Sequence, residues 1–142
     1  MADAFIYRRR VQFAETDLAG IVHFSRFFLY MEEAEHACLR SLGLCVHTKT
    51  PDAVISFPRV GAQCDYRQAL RFEDEFEVHV SVAERKAKSI SWSFTFHLPG
   101  AEAPLATGSI TTLCVRMGKG ADAMQATDIP PQITGKLDAL TD

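Results

Sequence analysis

The sequence predicts a single α+β domain in which one long amphipathic helix packs on an antiparallel sheet. Three observations carry that expectation. Phe24, Phe27, Phe28, Met31, Ala34, Cys38 and Leu42 recur largely at three or four, the period of a helix with one apolar face. Later segments alternate apolar and polar residues with period two, as half-buried strands do. No internal repeat or low-complexity tract appears, and 142 residues, 47% hydrophobic and 23% charged, suit one core. A domain of that size buries about two-thirds of its unfolded surface.

The elements follow in order. Phe5, Tyr7, Val11 and Phe13 fall on every second position with arginines filling much of the other face, which predicts a first strand over Phe5 to Phe13; Arg9 breaks its apolar side. The helix comes next, with Arg26, Glu32, Glu33, His36 and Arg40 largely on its polar side, and ends at Gly43, a residue suited to the left-handed position after a helix. Val60, Ala62, Cys64 and Tyr66 then alternate with Gly61, Gln63, Asp65 and Arg67. Phe76, Val78, Val80 and Val82 alternate with Glu75, Glu77, His79 and Ser81, and Ile90, Trp92, Phe94 and Phe96 with Ser and Thr. A turn, LPGAEAP at 98–104, leads into a last long strand ending near Met117. The strands should pair as an antiparallel meander. From Gly118 the chain turns small and polar, which predicts a loosely held tail over 118–142 with a short helix around Ile133 to Leu140 and no role beyond packing.

Composition narrows the function. A net charge of -3 gives no overall basic field for nucleic acid. No stretch approaches the roughly 18 apolar residues of a membrane span, and MADAFIYRRR has neither a continuous apolar h-region nor a small-residue cleavage pattern, so a cytoplasmic location is expected. Cys38, Cys45, Cys64 and Cys114 are scattered without C-x-x-C spacing; they read as reduced and mostly core residues, with no metal site. The strands carry uncharged Ser, Thr, Gln and Gly on much of the face the helix does not cover, and that face suits a second copy in a homodimer or homotetramer.

The segment AETDLAGIVHFSRFF, residues 14–28, concentrates the chemistry. Asp17 precedes a Leu18-Ala19-Gly20 bend, and the helix begins a few residues later. The first N–H groups of a helix have no intrahelical partners, so those near Phe24 and Ser25 could hold a developing oxyanion while Asp17 attacks or directs water. On these residues alone a helix cap or a solvated loop carboxylate explains Asp17 more simply.

ETDLAGIVHFSRFFLYMEEA, however, resembles the signature segment of the hotdog-fold acyl-CoA thioesterases, in particular the 4-hydroxybenzoyl-CoA thioesterase family. The pattern D-x-x-G-[IV]-V-x-[FYH] runs ungapped into the helix, and the order strand, helix, four-strand meander resembles one hotdog domain over residues 5–117, with 118–142 as its C-terminal tail. The resemblance implies an antiparallel sheet wrapped around one long central helix, with residues 1–142 as a single domain. It also implies an enzyme that hydrolyses an aryl- or short- or medium-chain acyl-CoA, with coenzyme A as part of the substrate and no separate cofactor. Asp17 matches the family's carboxylate, either nucleophile or general base. The Phe24 backbone N–H, with Ser25 beside it, matches the group that polarises the thioester carbonyl, Gly20 matches the bend, and Val22 and His23 would line the same entrance. The Tol-Pal-associated branch has Tyr followed by His where this chain has His23 followed by Phe24, which favours a lining or structural His23 over a proton shuttle.

Two further features belong to the same implication. A distinct hotdog branch carries its acid on the helix, where Glu32 and Glu33 stand, but Asp17 already fills the other branch's position, and Glu32, Glu33 and Glu35 read as solvated or subunit-facing charges. The turn ERKAKS at 84–89 offers Arg85, Lys86 and Lys88 to the phosphates of coenzyme A, with an ordinary solvated hairpin as the plain alternative. A non-catalytic hotdog module that binds acyl groups or only assembles is the competing function; it needs the cavity but not an ionised Asp17.

Overall fold

In the computed structural model, which describes residues 4–49, 51, 53–118 and 124–141, five strands form one antiparallel sheet in the order β1-β5-β6-β7-β4. They are β1 (Phe5–Arg10), β4 (Arg59–Tyr66), β5 (Glu75–Arg85), β6 (Ser89–His97) and β7 (Ala106–Leu113). The alternation predicted for β5 and β6 is realised, since Phe76, Val78, Val80, Val82, Ile90, Trp92, Phe94 and Phe96 are all buried. Each such side chain contributes about 1.5–3 kcal/mol when withdrawn from water. Register aligns these residues across the sheet: one inner-face row runs Tyr7, Val78, Phe96, Ala106, Tyr66, and the next runs Phe5, Val80, Phe94, Gly108, Cys64.

Helix α1 (Arg26–Ser41) lies on that inner face and buries Phe27, Tyr30, Met31, Ala34, Glu35, Cys38 and Leu39. Gly108 sits beneath Met31, where a Cβ would come within 2.5 Å of the Met31 sulfur. The helix stops where Gly43 takes φ +73° and the Leu44 N–H bonds back to the Leu39 carbonyl. The expected long central helix is thus sixteen residues, shorter at both ends than the periodic run from Phe24 to Leu42. Phe24, predicted on its apolar face, precedes the helix and is 61% exposed.

Several other expectations are corrected. Strand β1 ends at Arg10, because Phe13–Glu15 turns into a short 3-10 helix, and Phe13 is exposed. The last long strand divides at Cys114, whose N–H is taken by the Lys88 carbonyl. Beyond it, β8 (Val115–Met117) joins a second antiparallel sheet with β2 (His47–Lys49), β3 (Val54–Ser56) and β9 (Met124–Ala126), in the order β2-β3-β8-β9. The C-terminal segment is not loosely held where it is described. Ile129, Ile133, Leu137 and Leu140, from the approach to α2 (Pro131–Leu137) and the 3-10 turn after it, join the hydrophobic core. Residues 119–123 and 142 of the predicted tail lie outside the described residues. Glu35, read as a solvated charge, is 1% exposed and paired with Arg59. No helix among the described residues is long and apolar enough to cross a membrane.

Candidate active site

The loop carrying Asp17 is closed at its base by backbone bonds. Glu15 accepts from the His23 N–H at 2.9 Å, Thr16 and Val22 form a bridge, and the Asp17 N–H donates to the Ile21 carbonyl at 2.8 Å. At the tip, the Gly20 N–H donates to the Asp17 carbonyl at 2.9 Å with Gly20 at φ +82°, a conformation glycine adopts without strain. One carboxylate oxygen of Asp17 accepts from the Ala19 N–H at 2.9 Å, which orients the side chain and leaves the other oxygen without a partner among the described residues.

That base is fixed to the core through Glu15. Its carboxylate accepts from Arg9 (2.9 and 2.5 Å), from the Gln12 N–H (2.8 Å) and from the Tyr30 hydroxyl (2.9 Å). Burial alone would raise the Glu15 carboxyl, but these donors and the charge of Arg9 outweigh it and hold it below the ordinary carboxylate range. Arg9 also reaches Glu33 at 3.0 Å and lies over the Tyr30 ring at 5.0 Å, tying β1, the loop and α1 together. Glu35 shows the contrast: burial pushes its carboxyl up, because only Arg59 opposes it.

At the helix start, the N–H groups of Arg26, Phe27 and Phe28 are taken by the carbonyls three residues back, and the Ser25 N–H points to His23 Nδ1 at 3.3 Å. The Phe24 N–H donates to no acceptor among the described residues. An open cleft of about 430 Å³ lies here, lined by Asp17, Ile21, Val22, Phe24 and Phe27, and by Tyr66 at the end of β4 with Arg67 to Ala69 just after it. Of the residues singled out in the sequence, Asp17, Val22 and Phe24 line the cleft. Gly20 shapes the loop, while the His23 imidazole is bonded to the Ser25 hydroxyl at 2.8 Å and stacked on Phe24 at 4.6 Å.

The basic turn stands elsewhere. Arg85 is bonded to Asp138 at 2.9 Å, Lys86 and Lys88 are exposed, and none of the three lines the cleft. Seven residues separate Arg85 from Val78, the β5 residue in the row of Tyr66, which is about 23 Å along a strand. A second cleft of about 410 Å³ borders Arg8, Arg9 and Arg10, but each is already paired with a glutamate. Among the described residues no three His, Cys, Asp or Glu side chains gather to hold a metal.

Comparison with known proteins identifies the family of the chain. The thioesterase-like superfamily profile matches residues 11–137. The chain belongs to the thioesterase-like superfamily. It is 43% identical over 90 residues, 63% of its own length and 70% of the relative's, to a putative esterase of Aquifex aeolicus. It is 26% identical to an acyl-CoA thioesterase of Haemophilus influenzae over 82% of this chain and 85% of that one. The solved structure of a gentisyl-coenzyme A thioesterase superposes with a TM-score of 0.75 at 26% identity, covering 94% of this chain and 99% of the other. With these relatives, this superfamily member is a thioester hydrolase, and the competing reading as a non-catalytic module gives way.

Sequence reasoning on this thioesterase missed Tyr66, Arg67, Gln68 and the Arg9–Glu15 pair. Tyr66 does stand on the inner side of its strand, as the alternation predicts, and what the spacing does not show is that its hydroxyl donates to the Phe24 carbonyl at 2.8 Å. The signal for Arg9 and Glu15 was present as a charge breaking an apolar alternation, with an acid six residues later, but nothing in the spacing shows them meeting.

Proposed function

We propose that this thioesterase hydrolyses an aryl- or short- or medium-chain acyl-CoA, with Asp17 as nucleophile or general base and the Phe24 N–H as the principal oxyanion donor. The observation that carries the reading is that Asp17 lines one cleft at the start of α1 with Phe24, whose N–H has no acceptor among the described residues. The substrate binds with its carbonyl oxygen towards that N–H, and Val22 and Phe27 provide apolar wall for the acyl group. As nucleophile, Asp17 attacks the carbonyl carbon, the C–S bond breaks, the thiolate leaves and is protonated, and water then hydrolyses the mixed anhydride. As base, Asp17 takes a proton from a water whose oxygen attacks the same carbon; the C–S bond then breaks and the leaving thiolate is protonated. Both routes end in free acid and coenzyme A, and neither needs a metal or redox group. His23, held by Ser25 and Phe24, supports the shape of the entrance.

Lys86 and Lys88, with Arg85, are the proposed contacts for the phosphates of coenzyme A. Their distance from the Asp17 cleft within one chain favours a homodimer or homotetramer, in which a neighbouring copy brings its turn to the cleft. The outer edge of β4 and the half-buried face bearing Ser91, Ser93, Ser109 and Thr111 are surfaces open to such a copy. The gentisyl-coenzyme A relative favours an aryl acid, the Haemophilus relative an acyl chain. A cytoplasmic location completes the reading. Thiol release from benzoyl-, butyryl-, octanoyl- and palmitoyl-CoA tests it: rapid turnover of the aryl or shorter substrates is expected, and turnover of palmitoyl-CoA alone, or of none, refutes it.

A further inference from the structure

The Tyr66 hydroxyl reaches the Phe24 carbonyl from the last residue of β4, forty-two positions away in the chain. The residue is placed by its strand and its ring by one aromatic neighbour. Register sets Tyr66 opposite Ala106, and the Phe27 ring meets it edge-on with centroids 5.0 Å apart at 88°. The other bond to the Phe24 carbonyl, from the Phe27 N–H, is long at 3.4 Å, and no side chain caps the helix at Ser25. The tyrosine bond at 2.8 Å is therefore the stronger hold on this carbonyl.

The consequence follows from peptide geometry. The Phe24 carbonyl and the Ser25 N–H are two ends of one planar group, so an acceptor bond at one end polarises the donor at the other. The Phe24 N–H belongs to the preceding peptide, whose His23 carbonyl is held by the Arg26 N–H at 2.9 Å. Two torsions alone connect these planes, so anchoring the Phe24 carbonyl also restrains the Phe24 N–H. We propose that Tyr66 is a positioning residue for thioester hydrolysis, acting through the Phe24 carbonyl to keep the Phe24 N–H aimed at the substrate carbonyl oxygen. This rests on the assignment of Asp17 and Phe24 given above. Tyr66 takes no part in bond making; its proton is committed to the carbonyl. Burial, with Cys64 beside it, pushes its hydroxyl up to about 12, so it remains a donor at neutral pH.

Tyr66→Phe removes one oxygen and keeps the ring contact with Phe27. On the acyl-CoA that the wild type turns over fastest, kcat should fall about tenfold with KM within about twofold, the size of one lost hydrogen bond expressed in the transition state. The urea midpoint should stay near that of the wild type, and the Ser25 amide proton resonance should move upfield. An unchanged kcat, a loss expressed only in KM, or a Ser25 resonance that does not move overturns the proposal. Asp17→Asn measured in parallel separates the two failures. If it collapses activity while Tyr66→Phe keeps full kcat, only the Tyr66 role falls; if Asp17→Asn is fully active, or the wild type turns over no acyl-CoA, the assignment of Asp17 falls and Tyr66 with it.

Discussion

Replacing Arg9 by Met keeps most of the volume and removes the charge that faces Glu15. The Glu15 carboxylate, in a residue only 8% exposed, would lose both of its bonds from Arg9 and, among the described residues, retain the Gln12 N–H and the Tyr30 hydroxyl. Breaking a buried pair from one side costs about 3–5 kcal/mol, and the two retained donors place this case near 3 kcal/mol. Glu33 adds little, being more exposed and still bonded to the Tyr7 hydroxyl at 3.0 Å. At roughly 2–4 °C per kcal/mol for a domain of this size, melting should fall by about 6–12 °C. The effect has a defined sign with pH. Because the folded protein holds Glu15 below its ordinary value, the pair contributes stability above the unfolded carboxylate pKa and loses it as pH falls through the depressed folded value. The gap between wild type and Arg9→Met should therefore be widest near pH 7 and narrow steadily below about pH 4.5. Urea unfolding followed by the fluorescence of Trp92, the single tryptophan and fully buried, measures it at both pH values. A loss under about 1 kcal/mol at neutral pH, or an equal loss in acid, would refute the clamp.

Two further expectations are independent of it. Leu137→Ala, in the C-terminal segment, should cost about 2–4 kcal/mol in the same urea assay, because the side chain is fully buried; a change within about 0.5 kcal/mol would return that segment to a loose tail. The double substitution Lys86→Ala/Lys88→Ala should raise KM for an acyl-CoA about tenfold with kcat unchanged and flatten the rise of KM with salt, as for lost phosphate contacts; an unaltered KM would leave the turn a solvated hairpin.

How much of this was legible in the sequence depends on the range of the interaction. The period-two runs of β5 and β6 and the stop at Gly43 are local, and side-chain alternation or one backbone conformation decides them. Asp17 and its loop were legible as a motif, and the structure adds the closed base that holds them. Tertiary partners were not legible. Arg9 looked like an error in an apolar face until Glu15 and Glu33 met it, and Glu35 looked solvated until Arg59 covered it. The second sheet escaped notice because its strands are three residues each, too short to show a period. The C-terminal segment misled through composition: its polar and small residues dominate, while Ile129, Ile133, Leu137 and Leu140 supply the buried contacts.

The central claim is that Asp17 performs the chemistry in the cleft at the start of α1. Asp17→Asn is nearly isosteric and can still accept from the Ala19 N–H, so the loop should persist while the charge is lost. Steady-state thiol release from the best acyl-CoA, measured for wild type and Asp17→Asn side by side, tests this most directly. The account predicts a fall in kcat of about 100-fold or more with an unchanged melting temperature. Equal kcat in the two proteins would contradict it and move the chemistry out of this loop.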